Sequence, residues 1–128
     1  MNKYLAKIIA LDIDGLSTIS AIVSGARVLI ADIKYLPSNK VFLLSIERTK
    51  IESEQKDKTI NSIIRLDFVQ KVRSKNIDQS NKDLVLELIA IDYLKNNEDY
   101  EINLLFNNNA SIVLTVETIE ARLDDQTK

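Results

Sequence analysis

The sequence predicts an α+β fold that is mainly β. About seven antiparallel strands form a curled sheet or partly open barrel, with one helix before them and a capping helix after. Three observations predict it. Apolar side chains alternate at period two in run after run between residues 27 and 116. The links between those runs are short, and short links join antiparallel neighbours, because a parallel crossover takes a dozen residues or more. Helical spacing of apolar residues occurs only near the two ends.

The first helix covers residues 14–24. Leu16, Ile19, Ile22 and Val23 recur at three- and four-residue spacing and make one apolar stripe. Asp12 or Asp14 supplies its N-cap, since a short carboxylate accepts the free N–H groups of a first turn, and Gly25 is placed to end it. Residues 28–35 and 41–48 flank Leu36-Pro37-Ser38-Asn39-Lys40 and read as a hairpin. In the second of these runs Phe42, Leu44 and Ile46 alternate with Leu43, Ser45 and Glu47.

The charged stretch 52–59 reads as a loop. Strands follow over 60–68 and, after a bend, 69–77. Leu84, Leu86 and Leu88 alternate with Val85, Glu87 and Ile89, apolar on much of both faces and so expected at the centre of the sheet. Residues 96–99 make a turn. Tyr100, Ile102, Leu104 and Phe106 point inward in the cleanest alternation of the chain, and Asn107-Asn108-Asn109 turns tightly because Asn tolerates positive φ. Ala110 to Val116 is the last strand. Val116, Ile119 and Leu123 then define a helical stripe over about 116–124, ending in a frayed Asp124-Asp125 tail.

The 128 residues make one domain, 1–128, with 45% apolar and 28% charged residues, enough for a core without disulfides or metal. There are no cysteines and no histidines, which removes thiol nucleophiles, imidazole acid/base catalysis and the usual structural zinc sites. No cofactor is expected. The apolar start is broken by Lys7 and stopped by Asp12, unlike a signal peptide, and no run approaches the ~20 apolar residues of a membrane span, so the cytoplasm is the expected location.

Charge is unevenly spread. Residues 48–82 carry nine Lys/Arg against five Asp/Glu, and residues 83–128 three against ten, although the net charge is only −2. Such segregation favours oriented association. Lys71, Arg73 and Lys75 alternate at period two and present three cations on one strand face, a candidate site for an anion. The other reading is a solvated edge strand whose lysines discourage strand pairing. Aromatic residues make up 5% and none lies among these cations, so nucleic acid is not an expected partner. The carboxylates Glu98, Asp99, Glu101, Glu117, Glu120, Asp124 and Asp125 read as solvated turns and a helix face.

Ile8-Ile9-Ala10-Leu11-Asp12-Ile13-Asp14-Gly15 resembles the first motif of haloacid-dehalogenase-like phosphatases. That resemblance implies Asp12 as phosphoryl-accepting nucleophile and Asp14 as general acid/base, both near Mg²⁺. Leu16 stands where that family places Thr, and antiparallel strands follow; the alternative is the helix N-cap already described. The strand count with a closing helix resembles the pleckstrin-homology-like superfold. Ile9-Ala10-Leu11-Asp12, Tyr35-Leu36-Pro37 and Phe42-Leu43-Leu44, with Leu88-Ile89-Ala90-Ile91, Leu104-Leu105-Phe106 and Val116 to Asp124, resemble a small bacterial family catalogued only as a domain of unknown function. The reading that follows is a non-enzymatic interaction or structural module that binds a protein partner or itself. Anion binding through the basic strand is the alternative, and Mg²⁺-dependent phosphatase activity a second.

Overall fold

A computed structural model describes residues 5–49 and 58–126 of the chain. Among these residues there are nine strands and one helix: β1 (Lys7–Ala10), α1 (Ile13–Val23), β2 (Ala26–Leu36), β3 (Val41–Thr49), β4 (Thr59–Leu66), β5 (Val69–Lys75), β6 (Val85–Asn96), β7 (Asp99–Phe106), β8 (Ser111–Val116) and β9 (Ala121–Asp125). All nine lie in one sheet, ordered β1-β9-β4-β3-β2-β6-β7-β8-β5, and every pairing is antiparallel.

The first helix forms where its stripe predicts. Asp12 is the N-cap, and its Oδ1 accepts the Gly15 N–H at 2.8 Å. Gly25 follows the last turn with φ +87, a backbone conformation that disfavours a β-carbon. Leu16, Ile19 and Val23 are buried in the core, each contributing about 1.5–3 kcal/mol by leaving water. The helix packs chiefly on β6 and β1, and Ser20 Oγ accepts the Ile91 N–H at 2.9 Å. Gly15 lies so close to β1 that a β-carbon there would stand 2.9 Å from both Ala10 Cα and Cβ.

A single sheet can enclose a core only by curling, and several bonds record the curl. Val69 N–H, at the start of the outermost strand β5, donates to Lys40 O in the β2–β3 turn at 2.9 Å. Tyr35 Oη of β2 donates to Val69 O at 3.0 Å. The β2–β3 ladder is interrupted between Val28 and Ile33. Before this break β2 pairs with both β3 and β6, and from Ile33 on it pairs with β3 alone.

Two expectations need correction. The seven expected strands are β2 to β8; β1 and β9 are additional, and they pair with each other at one side of the sheet. The C-terminal helix over 116–124 does not form. Val116 ends β8, residues 117–120 make the connection, and Ala121–Asp125 is a strand between β1 and β4. The physical reason is local. Thr115, Val116, Thr118 and Ile119 are β-branched and stiff in helices, and Asp124 and Asp125 would face the negative end of a helix dipole. The buried sequence Ala121, Leu123 and Asp125 is itself a period-two strand pattern, with both apolar members below 2% exposed. β6 lies inside the sheet order as expected, but Val85 and Ile89 on its outer face are about half exposed, at 49% and 47%. The loop expected over 52–59 falls mostly outside the described residues, and Thr59 already belongs to β4.

Candidate functional site

Lys71, Arg73 and Lys75 lie on β5, the strand at one end of the sheet order. They register against Thr115, Val113 and Ser111 of β8, and all three are exposed on the outer face. Arg73 Nη2 is held by Glu101 Oε2 of β7 at 2.9 Å, so one of the three charges is already partnered across β8. Lys71 and Lys75 make no ion pair among the described residues. The outer face of β5 therefore offers two uncompensated ammonium groups on either side of a neutralised guanidinium.

The inner side of β5 is unusual. Val72 and Ser74 register against the buried Leu114 and Ile112 and so point toward the core, yet Val72 is only half-buried and Ser74 is exposed. On β7 and β8 the equivalent inward positions are 0–4% exposed. The strand that would seal β5 is missing: its only described backbone bond on that side is the one from Val69 N–H to Lys40 O.

Asp12 and Asp14 are exposed at the mouth of a separate cleft of about 480 Å³, walled by Leu11, Tyr93, Tyr100 and Thr118. One oxygen of Asp12 is committed to the helix cap, and the Asp14 carbonyl accepts the Thr18 hydroxyl at 3.1 Å. β1, the strand preceding them, is a four-residue antiparallel edge strand. Among the described residues no three Asp or Glu side chains converge as a metal cluster, and no helix is long and apolar enough to cross a membrane.

The acidic segment is placed in three different ways. Glu117 pairs with Lys40 at 3.1 Å; hydrogen bonds from Gln70 and Lys40, with the lysine charge, hold its carboxyl below the usual range. Glu101 holds Arg73. Asp125, expected in a frayed tail, is instead fully buried against Arg48, with both side chains 0% exposed. Arg48 Nε and Nη2 meet Asp125 Oδ1 and Oδ2 at 3.1 and 2.8 Å. Ser62 Oγ and Ala6 N–H also donate to the same carboxylate, at 2.6 and 2.7 Å. Burial would raise the Asp125 pKa, but these hydrogen bonds from Arg48, Ser62 and Ala6 and the guanidinium charge outweigh it and hold the carboxyl below its ordinary value. The sequence carried a signal for this pair: extending the inward set Phe42, Leu44, Ile46 by two reaches Arg48, and a cation facing the core requires a carboxylate.

Residues 6–128 match the model of a protein family described as a protein of unknown function, DUF2948. No curated protein and no solved structure matches the chain.

Proposed function

The chain belongs to the DUF2948 family, and we propose that it is a non-enzymatic binding module whose binding face is β5. The observation that carries this reading is the edge position of β5, with Lys71 and Lys75 outward and uncompensated and Val72 and Ser74 incompletely sealed inward. An edge strand rich in lysine repels another basic strand and attracts an acidic surface, so the device that prevents indiscriminate pairing also selects a partner. The partner is a protein with an acidic face, in keeping with the separation of charge along the chain. The pleckstrin-homology-like reading of the topology is part of the proposal. Two three-strand meanders, β2–β3–β4 and β6–β7–β8, joined through the β2–β6 ladder and covered on the concave side by one helix, support it.

The test is binding of the full chain to a poly-glutamate peptide by calorimetry at low and physiological salt, with Lys71→Glu/Lys75→Glu and Lys95→Glu variants. The reading expects steeply salt-dependent binding, lost in the β5 double variant and kept in Lys95→Glu. Equal loss in both variants, or no binding at low salt, overturns it.

A further inference from the structure

Between the second half of β2 and β5 lies a cavity of about 350 Å³, small but within the range of ligand pockets. Its floor is the core itself, formed by Ile30, Phe42 and Ile112. Its walls are Ile33, Tyr35, Val72 and Ile77, four of the apolar side chains that pack against the core yet remain only half-buried. Ser74, Gln79 and Lys82 form the polar part of the lining.

The gap has a structural cause. β2 loses its β6 partner beyond the break near residue 30, and β5 has no ladder partner on that side. Tyr35 crosses the gap only with its whole side chain and a 3.0 Å hydrogen bond, so the two strands stand well beyond the ~4.8 Å of a paired ladder. The other end is braced by the β5–β6 connection: Ile30 N–H donates to Leu84 O at 2.9 Å, Gln79 Nε2 to Ser74 Oγ at 2.8 Å, and Asn76 Nδ2 to Asn109 O at 2.9 Å. Bonds thus bridge the gap at both ends and leave the cavity between them.

Apolar walls over a core floor call for a hydrocarbon tail. Lys82, exposed and without an ion pair among the described residues, calls for an anion at the mouth. We infer that this cavity binds a single-chain amphipathic anion, an alkyl tail of modest length bearing a carboxylate or phosphate head that pairs with Lys82. The site goes beyond the outer face of β5, since it uses the inward side chains of that strand and a different lysine.

The test uses the full chain with decanoate, decyl phosphate and decyltrimethylammonium below their micelle concentrations, read by amide chemical shifts and calorimetry. Both anions should shift the Ile33, Val72 and Ile77 amides, and the cation should bind at least tenfold more weakly. Lys82→Glu, an exposed change that spares the fold, should reverse that preference. Val72→Trp, filling the cavity, should weaken both anions at least tenfold. Sedimentation with phosphatidylglycerol vesicles distinguishes the source of the head group: Val72-dependent sedimentation indicates a membrane lipid, and free-acid binding without sedimentation a soluble one. Indifference to head-group charge, indifference to Val72→Trp, or no shift at these amides with any probe overturns the inference. Decanoate binding that survives Lys71→Glu/Lys75→Glu while poly-glutamate binding does not would show the two sites to be independent.

Discussion

Breaking the Arg48–Asp125 pair should be the most damaging polar substitution in the described chain. The carboxylate collects hydrogen bonds from Arg48 on β3, Ser62 on β4 and the Ala6 amide just before β1, and itself sits on β9, so one group ties four adjacent strands. With both side chains 0% exposed, Asp125→Ala removes a buried carboxylate that takes bonds from Arg48, Ser62 and Ala6 at once. That costs about 3–5 kcal/mol, a large part of the 5–15 kcal/mol typical of a whole domain. At roughly 2.1 cal/mol/K of unfolding entropy per residue, the melting temperature should fall by about 10–20 °C. Arg48→Met should cost a similar amount, whereas the double variant Arg48→Met/Asp125→Leu should lose less than the sum, because the two single changes break the same Arg48–Asp125 bonds. The assay is urea unfolding of the four proteins, analysed as a double-mutant cycle. Single losses below about 1 kcal/mol, or additive losses in the double variant, would refute the reasoning. The sign with pH follows from the lowered Asp125 value. The carboxylate contribution is fully present above the ordinary carboxyl pKa of 3.8 and is lost as pH falls through the depressed folded value. Acid unfolding of the parent below pH 4 should therefore be steeper than that of the double variant.

Gly15→Ala should destabilise measurably in thermal melts, since its β-carbon would meet Ala10 backbone at 2.9 Å; an unchanged melting temperature would mean that α1 does not rest on β1 as described. Asp12→Ala should cost about 1 kcal/mol through loss of the cap to Gly15, measured by chemical denaturation, and Asp12→Asn should cost almost nothing because Asn caps equally well. Phe68 connects β4 to β5 with φ +60, a strained conformation for a bulky side chain. Phe68→Asn, which tolerates that conformation, should raise stability by about 0.5–1 kcal/mol despite removing a 41% exposed aromatic.

Legibility in the sequence tracked how local the cause was. The capped helix, the hairpins β2–β3 and β6–β7 and the Asn108–Asn109 turn, both residues at φ +59, each rest on neighbours in sequence. The outward placement of Lys71, Arg73 and Lys75 rests on period two alone. β9 departs from the expected helix because three apolar residues spaced three and four apart fit a helix stripe as well as a turn followed by a strand, and only the pairing with β1 and β4 decides between them. β1 is four residues long and has a single buried position, too little for a periodicity. The Arg48–Asp125 partnership spans 77 residues; the inward position of Arg48 announces a need, but nothing local names the partner. The cavity was invisible because it arises where β2 changes partners, bringing Ile33 and Tyr35 opposite Val72 and Ile77.

The central claim, that β5 and the second half of β2 have no ladder partner on the sides that face each other across an open gap, is tested most directly by native-state amide hydrogen exchange of the full chain. The account predicts that alternate amides of residues 70–75 and 31–36 exchange quickly while those of β7, paired on both sides by β6 and β8, are strongly protected. Uniform protection along both β5 and the second half of β2, at the level of β7, would mean that the sheet closes there and would contradict both the binding face and the cavity.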